Sequence, residues 1–284
     1  MLNRPTDDIQ DWLENATVGG SAAWRRPRMI AVVGPLHGVG TTSIALNSAT
    51  ALVQLGNRVV FVDADASGGD AASHCGISSG TTLADVIKDD KGLLAALHPG
   101  PNGVRILPAP WNREPLPALS TDQSRRTVGR LLVLGVSTDI VVVDAGNAPG
   151  ELGRRICSEA DAILIVVGPD ENSRPMLYPL LQPLSKISPR PAIHVVVNRE
   201  GAPERLQEIS RDIGRTAFRL LSIRVASVFG VPEDGRFERA RLSGRAMMAE
   251  YADRPATQAV NRLAEMLVQD SGVSVRVSAQ FFSQ

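Results

Sequence analysis

Short, nearly continuous apolar runs recur along this chain and alternate with longer segments of helical periodicity. Runs that are apolar throughout are typical of strands covered on both faces of a sheet. They predict strands over Met29–Val33, Arg58–Asp63, Val104–Pro108, Asp139–Asp144, Ala162–Val167, Ala192–Asn198 and Ile223–Phe229. Helices are predicted over Thr42–Leu55, Ser120–Leu134, Asn172–Ile187, Pro203–Ile213, Phe237–Tyr251 and Pro255–Gln269. This alternation predicts an α/β fold with a doubly wound, mainly parallel sheet of about seven or eight strands.

The N-terminal residues depart from this pattern. Residues 1–28 are predicted to form an arm or linker that precedes a single regular domain over 29–270. Within the arm, Ile9, Trp12 and Leu13 lie on one side of a short amphipathic stretch. Two interpretations stay open: a segment that packs on its own domain or stays mobile, and one that contacts a partner or a lipid surface.

Residues 271–284 form a predicted C-terminal tail. Their apolar positions alternate with a period of two, which is typical of a strand or an extended peptide, and the tail ends near Phe281 and Phe282. Because the tail lacks the basic polar face of a lipid-binding helix, membrane binding is not favoured.

Composition excludes several broad classes. Hydrophobic residues make up 43% of the 284 positions and charged residues 21%, which is enough apolar material for a core. Thirty basic residues balance thirty acidic ones, so no overall field favours nucleic acid. A late cluster of arginines is interspersed with acids, and nonspecific DNA binding is therefore not favoured. The cluster consists of Arg236, Arg239, Arg241 and Arg245.

Cysteine usage and the lengths of the apolar runs indicate the cellular setting. Cys75 and Cys157 have neither a metal-ligand spacing nor a disulfide framework, which favours a reduced compartment. No apolar run approaches the roughly 18–20 residues that a membrane-spanning helix needs. We expect a cytoplasmic protein, with recruitment to a membrane-associated machine left open.

A glycine-containing loop follows the first predicted strand and opens the first predicted helix. It reads Gly34-Pro35-Leu36-His37-Gly38-Val39-Gly40-Thr41-Thr42-Ser43. Backbone N–H groups at such a turn bind phosphate together with the positive end of the helix dipole. The candidate phosphate-binding residues are Gly38, Val39, Gly40, Thr41, Thr42 and Ser43.

Carboxylates stand at the ends of two further apolar runs. Asp63 ends the second run and Asp65 follows it, and Asp144 ends the fourth. Ligands of a doubly wound sheet bind beyond the carboxyl ends of its strands, so these acids are expected beside the phosphate loop. Acids placed there hold Mg²⁺ through water, and the predicted metal site consists of Thr42, Asp63 and Asp144.

In these motifs and their order, residues 29–268 resemble the MinD/ParA family of deviant P-loop ATPases. The family's loop, approximately Lys-Gly-Gly-Val-Gly-Lys-Thr-Thr, matches Leu36 to Ser43. Its Asp-x-Asp motif matches Asp63 to Asp65, and its later Asp-ending strand matches Asp144 to Pro149. The resemblance implies ATP or ADP with Mg²⁺ as ligand, a homodimer, and Asp65 as the catalytic residue that positions the attacking water.

Two later motifs extend the resemblance toward the nucleotide base. Asn198-Arg199 matches the family's Asn-Arg, and Val231-Pro232 matches its Ile-Pro turn. The resemblance therefore implies that Asn198 and Pro232 lie at the adenine.

The phosphate loop departs from the family at its two lysines. Leu36 replaces the lysine that reaches across the family's dimer, and Thr41 replaces the lysine that lies along the β- and γ-phosphates. Losing one such electrostatic contact typically costs about 10²–10³ in rate, so slow or absent hydrolysis is expected. Gly40-Thr41-Thr42 is similar to the loop of the CpaE/TadZ-like branch, whose members position pilus and secretion machinery.

The motifs together predict a nucleotide-binding protein with impaired or absent ATP hydrolysis. By the resemblance it would act as a dimerising spatial organiser or assembly partner of a pilus or secretion, division or partitioning machine, with an unidentified protein partner. A nucleotide-free pseudo-ATPase scaffold and an active ATPase of the same family remain alternatives. A kinase- or synthetase-like enzyme is disfavoured because the sequence shows no candidate substrate-activating group beyond Asp65. A dinucleotide-binding enzyme is disfavoured because the loop lacks the third glycine of that fingerprint.

Overall fold

The computed structural model describes residues 25–88, 92–148, 150–170, 175–236, 239, 248 and 251–269. The strands are β1 (Arg28–Val33), β2 (Val59–Asp63), β3 (His98–Pro99), β4 (Arg105–Leu107), β5 (Ile140–Asp144), β6 (Ala162–Val167), β7 (Ala192–Asn198) and β8 (Ser227–Val231). The α-helices are α1 (Thr41–Gln54), α2 (Leu83–Ile87), α3 (Thr121–Val133), α4 (Gly150–Glu159), α5 (Leu177–Leu184), α6 (Pro203–Leu221) and α7 (Pro255–Gln269). The predicted α/β fold class is confirmed.

The described strands form one eight-stranded sheet in the order β3-β4-β2-β5-β1-β6-β7-β8. All neighbouring pairs are parallel except β3 and β4. The parallel strands therefore end together at one edge of the sheet, which we call the carboxyl edge, and begin at the opposite amino edge. The loops that follow β1, β2, β5, β7 and β8 meet at the carboxyl edge.

Helices cover both faces of the sheet. Helices α1 and α7 pack on one face, where Ile44 and Leu263 are fully buried. Helices α2 to α6 pack on the other, where Ile156 and Ile213 are fully buried. Residues 29–33 of β1 are completely inaccessible, since both faces of this central strand are covered. This explains why the strands are apolar throughout rather than alternating.

Three predicted elements have wrong bounds. The helix predicted over Asn172–Ile187 is Leu177–Leu184, since residues 175–176 and 185–187 are not helical. The strand predicted over Ile223–Phe229 is Ser227–Val231, because Ile223 is buried ahead of the strand and the Ala226 N–H first reaches the Ile193 carbonyl, at 2.7 Å. The helix predicted over Pro203–Ile213 continues to Leu221 and ends at Ser222, which has a left-handed backbone conformation with φ of 53°.

Several predictions lie outside the described residues. These are residues 1–24 of the arm, the tail with Phe281 and Phe282, most of the helix predicted over 237–251 with Arg241 and Arg245, and Pro149. Of the helices that the structure does describe, none combines the length and the apolarity needed to span a bilayer.

Candidate functional site

The loop after β1 is a tight turn that requires glycine. Gly38 and Gly40 have φ values of 79° and 96°, a region that side-chain-bearing residues rarely adopt. A Cβ atom on Gly34 would lie 2.3 Å from Thr41 Oγ1, and one on Gly40 would lie 2.2 Å from Asn198 Nδ2. Packing as well as backbone conformation therefore explains the composition of this loop.

Helix α1 begins directly after this loop and presents its amino end at the carboxyl edge. Its N-cap is Gly40, no side chain caps it, and its first turn contains no acid. Thr41, Thr42 and Ser43 open the helix and are each half-buried. Unshielded N–H groups and the positive end of the dipole make this turn suitable for an anion.

The two positions where the resemblance expects lysine carry no charge. The Leu36 side chain is 39% exposed, and the Thr41 hydroxyl lies against Gly34 at the base of the loop. The lysines of the described residues are Lys88, which follows α2, and Lys186, which follows α5. Neither belongs to the loops around the candidate phosphate site.

The loop after β7 braces the phosphate loop from the side. Asn198 Nδ2 donates to the Val39 carbonyl at 2.8 Å, and the exposed Arg199 guanidinium donates to the Gly38 carbonyl at 3.0 Å. The sequence pointed to Asn198 only as a base contact and to Arg199 only as part of a motif. In the structure both residues hold the carbonyl side of the loop.

Pro232 lies beside the residues that hold the phosphate loop, Asn198 and Arg199. Asn198 and Val231 are register partners on β7 and β8, and the Glu200 N–H donates to the Val231 carbonyl at 3.0 Å. Gly201 packs against the Pro232 ring so closely that a Cβ atom would lie 2.8 Å from its Cγ. The two residues expected at the nucleotide base therefore lie at the ends of neighbouring strands, since Asn198 ends β7 and Pro232 follows β8.

Asp63 is a fully buried carboxyl group that organises the loop after β2. Its Oδ2 accepts the Ala71 N–H at 3.0 Å, and its Oδ1 accepts the Asp65 N–H at 3.3 Å. Gly69 lies directly over it, since a Cβ atom there would come within 1.9 Å of Oδ1. Burial, and next the charge of Asp144, raise the pKa of Asp63 well above its usual range, while the two N–H groups oppose the rise.

Asp144 is equally buried but leaves one oxygen unpaired. Its Oδ1 accepts the Gly146 N–H at 3.1 Å, whereas its buried Oδ2 has no hydrogen-bond partner among the described residues. Burial raises the pKa of Asp144 to about 6; the Thr42 hydroxyl and the Gly146 N–H oppose this rise, and the charges of Asp65 and Asp70 add to it.

Asp65 packs against the loop that follows β5. Its Oδ1 accepts the Ser67 N–H at 2.9 Å, and its carboxyl group packs on Gly146, where a Cβ atom would lie 2.4 Å from Asp65 Cγ. Gly146 has a φ of 55°, so both its conformation and this contact favour glycine. Asp65 is half-buried and therefore stays accessible to a ligand at the carboxyl edge.

Asp70 adds a fourth carboxylate that sequence reasoning did not identify as a site residue. It forms an ion pair with Arg113 from the loop after β4, and His74 Nε2 lies 3.5 Å from its Oδ1. The same loop also packs against the Arg113 backbone, because a Cβ atom on Gly68 would lie 2.2 Å from the Arg113 carbonyl. The Gly68-Gly69-Asp70 run was the only signal in the sequence.

The donor atoms around Asp144 suit a hard divalent cation. Asp144 Oδ2 and Asn147 Oδ1 are both buried and unpartnered among the described residues, and the Thr42 hydroxyl is near Asp144. Over the same residues, no group of three or more His, Cys, Asp or Glu side chains is arranged to hold a metal ion alone. Mg²⁺ fits this set because it prefers oxygen ligands and usually retains water or takes phosphate oxygens.

Comparison with known proteins found relatives over most of the chain, although no model of a protein family matches it. The antiactivator FleN of Pseudomonas aeruginosa is 28% identical over 238 residues, covering 84% of this chain and 85% of FleN. An uncharacterized ATP-binding protein of Methanocaldococcus jannaschii is 28% identical over 246 residues, covering 84% of this chain and 87% of that protein.

Solved structures share the fold. MinD in the MinC:MinD cell division complex of Aquifex aeolicus superposes with a TM-score of 0.70 and 23% identity, covering 88% of this chain and 98% of that chain. MinD complexed with Mg-ADP from Pyrococcus horikoshii gives a TM-score of 0.68 and 20% identity, covering 87% and 98%.

Proposed function

We propose that this chain, which shares the fold of the MinD structures, binds ATP or ADP with Mg²⁺ at the carboxyl edge and hydrolyses ATP slowly or not at all. One observation carries the proposal: Asp144, whose buried Oδ2 has no hydrogen-bond partner among the described residues, interacts through its carboxyl group with the Thr42 hydroxyl at the end of a phosphate loop that has no lysine. A site of this kind retains the groups that bind a nucleotide and lacks the lysines that accelerate its hydrolysis.

The phosphates bind to main-chain groups. The N–H groups from Gly38 to Ser43 surround the anion, and the dipole of α1 adds to their field. Asn198 and Arg199 contribute by holding the Val39 and Gly38 carbonyls, which fixes the loop before the ligand arrives.

Thr42, through its hydroxyl, and Asp144 would hold Mg²⁺. The metal supplies charge neutralisation of the phosphates when it is bound. Asp63 contributes less directly, because both of its oxygens accept backbone N–H groups and its carboxyl group shapes the loop that carries Asp65.

Hydrolysis is impaired at the transferring phosphoryl group. Asp65 is the candidate for positioning the attacking water, since its carboxyl group faces the loop after β5. Leu36 and Thr41 cannot neutralise the charge that develops on the phosphoryl oxygens, and removal of one such contact typically costs about 10²–10³ in rate.

The base lies between the loops after β7 and β8. Asn198 offers an amide group there, and Pro232 offers an apolar surface fixed by Gly201. Adenine suits this pair because it presents both hydrogen-bonding edges and flat faces.

At the level of the cell, the proposed role is that of a dimerising organiser or assembly partner of a larger machine. MinD is seen in a complex with MinC, and FleN is described as an antiactivator, so both names indicate action through another protein. The proposal places this chain in the cytoplasm, with recruitment to a membrane-associated machine as one form of its action.

Calorimetric titration with ATP and Mg²⁺, combined with an assay of phosphate release, tests this proposal. We expect saturable binding with turnover far below that of a lysine-containing relative assayed alongside. Asp144→Ala should abolish the Mg²⁺-dependent part of binding, whereas Glu159→Gln, at the amino edge, should leave it unchanged.

Two outcomes contradict the proposal in different ways. Absence of binding by the folded protein would support the scaffold alternative. Turnover equal to that of the relative, abolished by Asp65→Ala, would support an active ATPase.

A further inference from the structure

A cavity of about 170 Å³ opens between the end of α2 and one side of α3, and we call it the α2–α3 cavity. Its lining consists of Ile87 and Lys88 at the end of α2 and of Gln123, Arg126, Thr127 and Arg130 on α3. The last three follow Gln123 by three, four and seven positions, so all four share one side of the helix. The cavity therefore belongs to the helices on one face of the sheet and not to the loops of the candidate nucleotide site.

The lining is cationic. It contains one lysine and two arginines and no acid. Lys88 and Arg126 are exposed, and no acid of the described residues pairs with either of them. Arg130 is half-buried, and its Nη1 donates to the Val86 carbonyl at 2.7 Å, which fixes this guanidinium beside the end of α2.

The acids of the surrounding helices are engaged elsewhere. Asp85 Oδ2 accepts both the N–H and the hydroxyl of Thr82 at 2.8 Å, which directs its carboxyl group toward the start of α2. Asp122 pairs with Arg125 at 3.1 Å on α3. Glu151 of α4, which packs against α3, pairs with an arginine of its own helix at 2.6 Å. These acids therefore do not neutralise the cations of the lining.

Neutral donors complete the lining. Gln123 Oε1 accepts the Ser120 N–H at 2.9 Å, so the NH₂ group of this amide is the part that can donate toward the cavity. Thr127 is only 4% exposed, whereas Lys88 and Arg126 are exposed. The threonine therefore forms the inner part of the lining, and the two cations stand at its mouth.

These features favour a phosphate group as the ligand. Guanidinium and ammonium groups bind phosphate oxygens through charge-assisted hydrogen bonds. A phosphate monoester carries a charge of about −1.5 to −2 at pH 7, which matches three cations better than the single charge of a carboxylate does. The volume is below the roughly 300 Å³ at which pockets take drug-sized ligands, so the cavity suits one such group and not a whole nucleotide.

We propose that the α2–α3 cavity binds one phosphate group, either as inorganic phosphate or on a small phosphate ester. Lys88 and Arg126 contact its oxygens at the mouth, and Arg130 and Thr127 contact it further in. Because α2 and α3 pack on the face of the sheet opposite to α1, this site is separate from the phosphate loop and stands independently of the proposed function.

Calorimetric titration of the full-length protein with inorganic phosphate and, separately, with glycerol 3-phosphate tests the proposal. Lys88→Ala combined with Arg126→Ala should weaken phosphate binding by about tenfold or more, because two charge-assisted contacts are lost. Arg125→Ala is the matched control, since Arg125 is exposed and adjacent on α3 but does not line the cavity. Binding of both probes would assign the site to esters, and binding of inorganic phosphate alone would assign it to the ion.

The phosphate loop is a second place where both probes can bind, and the double variant separates the two sites. The heat that Lys88→Ala with Arg126→Ala removes belongs to the cavity, and the heat that remains belongs to the loop. MgADP should bind to this variant as it does to the unmodified protein. A protein that binds no MgADP, and yet loses phosphate binding in the double variant, would contradict the proposed function and still support the cavity.

Three results would overturn the proposal, once circular dichroism has shown that each variant is folded. The first is phosphate binding that is absent, or that falls equally in the double variant and in Arg125→Ala. The second is acetate binding as tight as phosphate binding, which would assign the cavity to a carboxylate. The third is phosphate binding that arises only after Asp89→Asn with Asp90→Asn, because the acids that follow Lys88 in the sequence would then neutralise the cations.

Discussion

Asp63 and Asp144 are register partners on β2 and β5, and both carboxyl groups are completely buried. Two acids in this arrangement oppose each other's ionisation, because burial and mutual repulsion both favour the protonated form. They differ in their hydrogen bonds: Asp63 accepts two backbone N–H groups, whereas Asp144 has an oxygen without a partner among the described residues. A bound cation would therefore be stabilised more by Asp144 than by Asp63.

Binding of Mg²⁺ with nucleotide should weaken as the pH falls through about 6. Because the pKa of Asp144 is raised to about 6, a proton competes with the cation for this carboxylate in that range. Calorimetric titrations with MgADP at pH 5, 6 and 7.5 measure the effect. Asp144→Asn should bind weakly at all three values and remove the pH dependence; an affinity that is constant from pH 5 to 7.5 in the unmodified protein would contradict this assignment.

Without nucleotide, Asp144 should make the protein less stable as the pH rises from about 4 to 6. Its pKa is higher in the folded state, about 6, than its ordinary value of 3.8, so the folded state binds the proton more tightly. Its favourable contribution is therefore complete below 3.8 and is lost as the pH rises through 6. Asp144→Asn should raise the melting temperature at pH 7.5, as measured by thermal denaturation.

Asp139→Asn is the control for that experiment, because its effect on stability at pH 7.5 should be opposite to that of Asp144→Asn. The hydrogen bond from Arg58 lowers the pKa of Asp139, so this carboxylate stabilises the fold when it is charged. The substitution should lower stability at pH 7.5 by less than about 1 kcal/mol, because the ion pair is exposed.

A pair of glycine substitutions tests whether the loop after β2 is shaped by the Asp63 carboxyl group. Gly69→Ala should lower the free energy of unfolding by about 1–3 kcal/mol, because the new methyl group would overlap Asp63 Oδ1. Gly214→Ala adds a methyl group in open space within α6 and should raise the free energy by about 0.5–1 kcal/mol. Urea denaturation measures both free energies of unfolding. Equal values for the two variants would show that the loop after β2 rearranges around the new methyl group without loss of stability.

The fold was largely predictable because the buried strands are apolar without interruption. Ala162–Val167 and Ala192–Asn198 have the predicted bounds. Helix α4 was missed because it opens with Gly150 and also contains Gly153, and neither favours a helix. The second is explained only by tertiary packing, since a Cβ atom there would lie 2.7 Å from Ala148.

The position of the candidate site residues at the carboxyl edge was predictable, but their contacts were not. Loop and strand-end motifs pointed to Thr42 and Asp144, because such motifs are local in sequence. The bond from Asn198 to Val39 joins residues 159 positions apart, and the ion pair of Asp70 with Arg113 joins residues 43 apart. No local pattern encodes these pairs, because the order of the strands in the sheet creates them.

Asn198→Ala should weaken nucleotide binding about five- to tenfold. It removes the 2.8 Å bond to the Val39 carbonyl, and a hydrogen bond of this kind contributes about 1 kcal/mol. Arg199→Ala should cost less, because its guanidinium is exposed and its bond is screened by salt. Titrations at two salt concentrations measure both; a larger and salt-insensitive loss in Arg199→Ala would indicate that the arginine, and not the amide, holds the loop.

Restoring the ammonium groups should restore hydrolysis if their loss is its cause. Thr41→Lys should raise the turnover number on the order of 10²-fold, because it places a charge along the transferring phosphoryl group. Leu36→Lys should act further only if the protein dimerises through this loop, and its effect should then depend on protein concentration. Leu55→Lys, at the opposite end of α1 and similarly exposed, controls for added charge. The gain must disappear when Asp65→Ala is added, since otherwise the released phosphate does not come from this site. If Thr41→Lys binds nucleotide normally and turnover stays at the parental level, the missing lysine is not what limits the reaction.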